Sequence, residues 1–214
     1  MEQELMEDSS TPKVFVRYSG VELKMTEKDR IAVFVDRDGT ICLDKHYLAD
    51  PKGLELIPTV AEGIKKLNDA GIPVIVVTNQ SGVDRGFFDE DQLGAIHDMM
   101  EEILDEQGAW VDDIYYCPHK PDSGCDCRKP APGMLLEASD EHGIDLKQSF
   151  VIGDRMMDVE MAHAVGAKAI LVPEPGDQYD IEKEIQASPE YPDYRTDSFM
   201  NAVEWILRLV LNNR

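Results

Sequence analysis

The sequence predicts an α/β protein built on a doubly wound parallel sheet, and three observations point there. Short unbroken apolar runs rich in Val and Ile recur along the chain, as in strands buried on both faces. Segments with apolar residues at helical spacing separate these runs. Polar clusters, several of them containing glycine, stand just after the strands. Strands alternating with helices connect through right-handed βαβ units, and such sheets bind ligands at the C-terminal ends of their strands.

Residues 1–12 are polar and acidic and are expected to be disordered, while VFVRYSGVEL (14–23) fits a short strand or a clamp equally well. IAVFV (31–35) is the first buried strand. Val60, Ile64 and Leu67 then repeat at helical spacing, and the pattern stops at Gly71. PVIVV (73–77) is the second strand. Leu93, Ile96, Met100, Ile103 and Leu104 stripe a longer helix that ends near Gly108. DIYYC (113–117) is the third strand, and GMLLEASDEH (133–142) a helix opened by a proline and closed by Gly143. FVIG (150–153) and AILV (169–172) flank a helix over 156–165. The polar segment 175–198, with two prolines near its end, reads as a surface excursion before a last helix striped by Phe199, Val203, Ile206 and Val210. No insertion between the first and second strands, or between the second and third, has room for a large cap domain. The domain reading is an N-terminal extension over 1–30 and one catalytic-sized domain over 31–214.

The chain carries 43 acids against 21 bases, a net charge of −22. Such a field disfavours nucleic acid and anionic membrane, and would repel a phosphorylated ligand unless a local cationic site overrides it. Solubility or a salt-rich cytoplasm would account for the excess. The start, MEQELMEDSSTPK, has the composition of neither a signal nor a basic transit peptide, and no apolar run approaches the ~20 residues of a membrane span. The expected location is therefore the cytoplasm, where thiols stay reduced.

The strand ends carry the chemistry. Asp36 and Asp38, in DRDGT, stand two apart after the first strand. One carboxylate can act as a nucleophile and the other as an acid, or both can help hold Mg²⁺; Gly39 lets the chain turn away, and Thr40 ends the motif. Taken alone, the motif is equally a turn with capping acids. Thr78, Asn79, Gln80, Ser81 and Gly82 follow the second strand, where a hydroxyl and backbone N–H groups can form a phosphate nest or an ordinary turn. After the fourth strand, GDRMMD puts Asp154 and Asp158 four apart at a helix start, with Arg155 between; acids there also complement a helix dipole. Four such motifs at successive strand ends favour one shared site.

The third strand ends in CPHKPDSGCDCRKP (117–130). Cys117, His119, Cys125 and Cys127 have the spacing of a four-ligand site, and thiolates with an imidazole suit tetrahedral Zn²⁺. Two alternatives compete: a disulfide, which a reducing cytosol and the closeness of Cys125 to Cys127 disfavour, and free surface thiols, for which three with a histidine in eleven residues would be a poor coincidence. Four protein ligands make a closed, structural site, which would clip the loop and deliver Arg128 and Lys129 to the strand ends. Cys42 reads as a small buried hydrophobe, His97, His142 and His163 as structural or solvent-facing, and Met156, Met157 and Met161 as core packing.

With these motifs in order, the chain resembles the haloacid dehalogenase-like phosphatases, whose fold is Rossmann-like. DRDGTI, TNQSGVDRGFF, IYYCPH, CDCRKPAPGML and GDR are similar to the branch that contains the heptose bisphosphate and histidinol-phosphate phosphatases. The resemblance spans about 31–172. It implies that Asp36 attacks phosphorus to form an aspartyl-phosphate, and that Asp38 protonates the leaving oxygen and later activates water. It implies Mg²⁺ on the Asp36 side chain, the Asp38 carbonyl and Asp154, with Thr78 and Lys129 on the phosphoryl oxygens and Asp158 supporting them. Arg128 and Arg155 would recognise the distal part of the substrate. Asp44, Lys45, His46 and Tyr47 match the substrate loop in position, Arg85 points to a sugar-phosphate pocket, and Asn79, Gln80 and Ser81 complete the binding set. The implied protein is a monomer acting on a small phosphorylated metabolite, with heptose 1,7-bisphosphate favoured. The five residues between His119 and Cys125 resemble the short loop of the histidinol-phosphate enzymes instead.

Other classes remain open on the sequence. The DxD pair would also suit a phospho-aspartate receiver, although Asp38 should make such an intermediate short-lived. A nucleic-acid 3′-phosphatase uses this scaffold, but the charge opposes a polynucleotide. A zinc-binding interaction module would not need the other three motifs.

Overall fold

The computed structural model describes residues 14–18, 21–25, 30–174 and 180–212. The disorder expected of residues 1–12 lies outside them. Within 14–23 the strand alternative holds: β1 (Val14–Tyr18) and β2 (Val21–Met25) pair antiparallel as a two-stranded sheet of their own.

The main sheet has six strands: β3 (Val33–Val35), β4 (Val74–Asn79), β5 (Asp113–Cys117), β6 (Phe150–Gly153), β7 (Lys168–Leu171) and β8 (Tyr194–Arg195). Its order is β5-β4-β3-β6-β7-β8, and every pair is parallel. From β3 the chain winds outward to β5 and then returns to start again at β6. The order thus reverses between β3 and β6, the place where doubly wound sheets leave a crevice.

The continuous apolar strands are explained by what covers them. Successive side chains point to opposite faces. Val33, Val35, Val74, Val76 and Ile152 meet α1 (Val60–Asp69), α3 (Glu90–Asp105) and α7 (Phe199–Asn212). Phe34, Ile75, Val77, Val151 and Leu171 meet α4 (Gly133–His142), α5 (Met156–Ala164) and Ile185 of α6 (Ile181–Ala187). Of the predicted stripes, Val60/Ile64/Leu67, Leu93/Ile96/Met100/Leu104 and Phe199/Val203/Ile206 are buried, while Ile103 and Val210 are only partly so. Full burial of one such side chain is worth about 1.5–3 kcal/mol. A capping box starts α3: Asp89 accepts from the Gln92 N–H at 2.8 Å, and Gln92 accepts from the Asp89 N–H at 3.1 Å.

The segment 175–198 needs a correction. Its described part is not a mere surface excursion but contains α6 and the sixth strand, β8, which extends the sheet beside β7. Asp193 anchors that edge by accepting from the Ala169 N–H at 2.8 Å and from His163 at 3.0 Å. No helix among the described residues is long and apolar enough to cross a membrane.

Candidate active site

The tip of β3 runs straight into the DRDGT turn. The Asp36 N–H donates to the Ile152 carbonyl at 3.0 Å, so the turn is tied to β6 across the switch point. Gly39 has φ +82°, and a Cβ there would stand 2.4 Å from Asp154 Oδ2, so both the turn and the close approach of Asp154 require glycine. Asp36, Asp154 and Asp158 are buried, and their carboxylate oxygens lie within 4.8 Å of one another.

One cation serves this acid cluster. Lys129 Nζ is 2.8 Å from Asp36 Oδ1 and 2.7 Å from Asp158 Oδ1, and donates to the Val77 carbonyl at 3.1 Å. Burial opposes its charge, but the two carboxylates prevail and hold its pKa above the ordinary lysine value. Asp36 Oδ1 also accepts from the Arg37 N–H at 2.7 Å, so both of its hydrogen bonds fall on one oxygen. Burial first, with Asp158 and Asp38 adding repulsion against the pull of Lys129, raises Asp36 to about 7. Burial and the charges of Asp36 and Asp158 hold Asp154 well above the carboxylate range. Asp154 Oδ1 is buried with no hydrogen-bond partner. An orphaned carboxylate oxygen beside a second buried acid is the donor set of a hard divalent cation, and Mg²⁺ fits it.

Asp38 is held differently. Arg37 grips it from one side, and Gln80 Nε2 donates to Oδ2 at 2.8 Å from another. The same Gln80 nitrogen donates to Thr78 Oγ1 at 2.8 Å. Both residues come from the end of β4, where the Gln80 N–H donates to the Cys117 carbonyl at 2.7 Å.

Asn79 does something the sequence did not reveal. Its Oδ1 accepts from the Lys129 N–H at 3.1 Å and its Nδ2 donates to the Lys129 carbonyl at 3.3 Å. The side chain thus splints the backbone of the lysine, in addition to lining the cleft. The loop before Lys129 gathers its four soft donors. Sγ atoms of Cys117 and Cys125 are 3.6 Å apart, those of Cys125 and Cys127 3.4 Å, and His119 Nδ1 is 3.3 Å from Cys127 Sγ. Ligands about 2.3 Å from a tetrahedral centre would be about 3.8 Å apart, so the cluster has zinc-site dimensions. Arg128, next in the chain, donates to the His119 carbonyl at 3.1 Å.

Above these groups is a cleft of about 430 Å³. Of the sequence-predicted residues, Asp36, Asp38, Thr78 and Lys129 line it together with Asp154. So do Asp44, His46, Tyr47, Asn79, Gln80, Ser81, Arg128 and Arg155. Asp158 lies behind them, accepting from Lys129 and from the Arg155 N–H at 3.2 Å.

Three expectations need revision. Lys45 is not in the cleft wall; it is drawn to Glu55 at 3.3 Å. Arg85 is exposed on the short helix α2 (Gly82–Arg85) and does not line the cleft. Met157 lines the cleft beside Asn79, unlike Met156 and Met161, which are core residues as expected. For His97 the structural alternative holds: it is buried, and its Nε2 meets buried Arg37 at 3.2 Å. Arg155 is in the cleft but bonded to Glu184 of α6, a partner 29 residues away that the sequence did not suggest. Phe87, which packs edge-on against Tyr47 at a centroid distance of 4.6 Å, was also missed.

Known proteins decide the family. A protein of Photorhabdus laumondii named D-glycero-beta-D-manno-heptose-1,7-bisphosphate 7-phosphatase is 43% identical over 149 residues, 65% of this chain and 79% of the relative. The chain belongs to the haloacid dehalogenase-like phosphatases. A phosphatase of the same name from Pseudomonas aeruginosa is 44% identical over 144 residues, covering 67% of this chain and 81% of the relative. The HAD-hydrolase-like family model matches residues 126–202. A crystal structure of the D,D-heptose 1,7-bisphosphate phosphatase of B. bronchiseptica, complexed with magnesium and phosphate, superposes with a TM-score of 0.76 at 31% identity. That likeness covers 84% of this chain and 99% of the neighbour. In this chain the Asp36–Asp38 pair follows β3, at the switch point of the sheet.

Proposed function

We propose that this phosphatase removes the 7-phosphate of D-glycero-D-manno-heptose 1,7-bisphosphate through an aspartyl-phosphate on Asp36. The observation that carries the mechanism is the contrast between two carboxylates at one strand end. Asp36 is buried against Lys129 with one oxygen unbonded, as a nucleophile requires. Asp38 sits to the side, held by Arg37 and Gln80 where it can pass a proton to the leaving oxygen and later take one from water. Lys129 Nζ and Thr78 Oγ1 supply donors to the phosphoryl oxygens, where charge must be stabilised. Asp36, Asp154 and the Asp38 carbonyl would hold Mg²⁺. When bound, it would neutralise the repulsion between carboxylate and phosphate. The names of the relatives support the heptose substrate, and a cleft bordered by Arg128, Arg155 and Tyr47 suits a sugar with a second phosphate.

The test is phosphate release with saturating Mg²⁺ from both anomers of heptose 1,7-bisphosphate, compared with histidinol phosphate. Preference for either heptose anomer by tenfold or more in kcat/KM is expected. Preference for histidinol phosphate would instead give weight to the five-residue spacer of the cysteine loop.

Cys117, His119, Cys125 and Cys127 hold Zn²⁺ in this reading, in a reducing cytoplasm. The ion fixes the loop that carries Arg128 and Lys129. Cys125→Ser is therefore expected to raise KM about tenfold while the domain stays folded. A fall in melting temperature with unchanged KM in the folded fraction would show the clip to be a stability device only.

A further inference from the structure

We propose that Arg37, backed by His97, is a positioning pair that sets the Asp38 carboxylate for proton transfer. The inference rests on Asp38 being the acid and base of the proposed reaction. Arg37 follows the nucleophile in the chain, yet its side chain turns into the protein and is only 1% exposed. Its Nη2 reaches Asp38 Oδ2 at 2.8 Å and Oδ1 at 3.0 Å, and its Nε reaches Oδ1 at 3.2 Å. A fork of this kind fixes the plane of a carboxylate as well as its place, which a lysine cannot do.

The remaining nitrogen, Nη1, meets His97 Nε2 at 3.2 Å. A guanidinium has donors only, so this imidazole nitrogen must accept. His97 is therefore neutral, with its proton on Nδ1. Burial and the neighbouring guanidinium both favour that state. The chemistry of the position is selective. An aliphatic residue would leave a buried N–H of Arg37 unpaired. A carboxylate would compete with Asp38 for the fork. A neutral acceptor anchors the guanidinium and leaves its charge to Asp38. His97 is itself held by α3 and lies edge-on to Tyr116 of β5 at a centroid distance of 6.0 Å. The orientation of Asp38 is thus set by α3 and β5 through Arg37 and by the end of β4 through Gln80.

A displaced acid should matter in proportion to the leaving group's need for a proton. The experiment measures kcat/KM for Mg²⁺-loaded enzyme on substituted phenyl phosphates, from p-nitrophenyl phosphate to phenyl phosphate, and plots it against leaving-group pKa. Asp38→Asn is expected to steepen the slope. His97→Leu is expected to do the same in part, losing about tenfold on phenyl phosphate and less than about twofold on p-nitrophenyl phosphate. His97→Gln keeps an acceptor near the Nε2 position and should restore the wild-type slope. Arg37→Lys, a charge without a fork, provides a second route and should steepen it should the leucine variant fail to fold. Equal losses across the series, or a glutamine variant no better than leucine, would reduce His97 to packing and overturn the proposal. An unchanged slope in Asp38→Asn would remove Asp38 as the proton donor, a separate result that takes this inference with it.

Discussion

Replacing Asp36 by Asn is expected to lower turnover by about 10⁴-fold or more, because a carboxamide cannot take the place of the carboxylate nucleophile. The amide keeps the size of the side chain and can keep a hydrogen bond to Lys129, so the loss reports chemistry and not collapse. The same variant should change stability in the opposite direction. Burial raises Asp36 to about 7 and holds Asp154 above its usual range as well. An acid whose native pKa lies above its unfolded value binds its proton more tightly when folded. The contribution of these two acids to metal-free stability should therefore be fully present below about pH 4, the unfolded value, and be lost as pH rises toward and through 7. Asn at position 36 carries no such penalty, so at pH 8 without Mg²⁺ the variant should melt higher than wild type and show a flatter pH profile. Mg²⁺ should raise the wild-type melting temperature at pH 8 and raise that of Asp36→Asn less. Turnover within a factor of ten of wild type would reject Asp36 as the nucleophile. Equal Mg²⁺ stabilisation of both proteins would place the ion elsewhere.

The candidate active site was legible because its signals are local and sit at predictable places. β3, β4, β5 and β6 announce themselves as apolar runs, and each ends in a polar cluster that a parallel sheet must bring to one edge. The cysteine loop packs four soft donors into eleven residues, and they meet in space as their spacing suggests. What escaped is non-local or short. β8 is a two-residue strand, Tyr194–Arg195, too brief for any alternation to register, and α6 buries only Ile185. Arg37 and His97 are 60 residues apart, Asn79 and Lys129 are 50 apart, and Arg155 and Glu184 are 29 apart. No periodicity links such pairs, because the sheet order and not the chain makes them neighbours. These contacts also explain why resemblance alone misjudges some roles. Asn79 was expected to bind substrate, and its position in the cleft allows that, but both ends of its amide are already bonded to the backbone of Lys129.

That splint bears on the residue whose loss should be felt most widely. Lys129→Met keeps the length and apolar stem of the side chain and deletes its charge, together with the N–H groups that reach the carboxylates and the Val77 carbonyl. Asp36 and Asp158 would then be buried without the cation that lies 2.8 and 2.7 Å from them. Breaking a buried ion pair by removing one partner costs about 3–5 kcal/mol, a large share of the ordinary 5–15 kcal/mol stability of a domain. The melting temperature at pH 8 should fall accordingly. Because the stranded carboxylates can escape their repulsion by taking up protons, the deficit should shrink as pH falls toward 5. Mg²⁺ should recover part of it by replacing one positive charge near Asp36. Turnover should not recover with it. The ammonium is also expected to meet the phosphoryl oxygens, and loss of one such donor alone lowers rates by about 10²–10³-fold. A variant that regains stability with Mg²⁺ yet stays inactive would separate the two tasks of Lys129. One that melts like wild type at pH 8 would mean that the acid cluster is already neutralised by protons and that the lysine charge is not what holds it together.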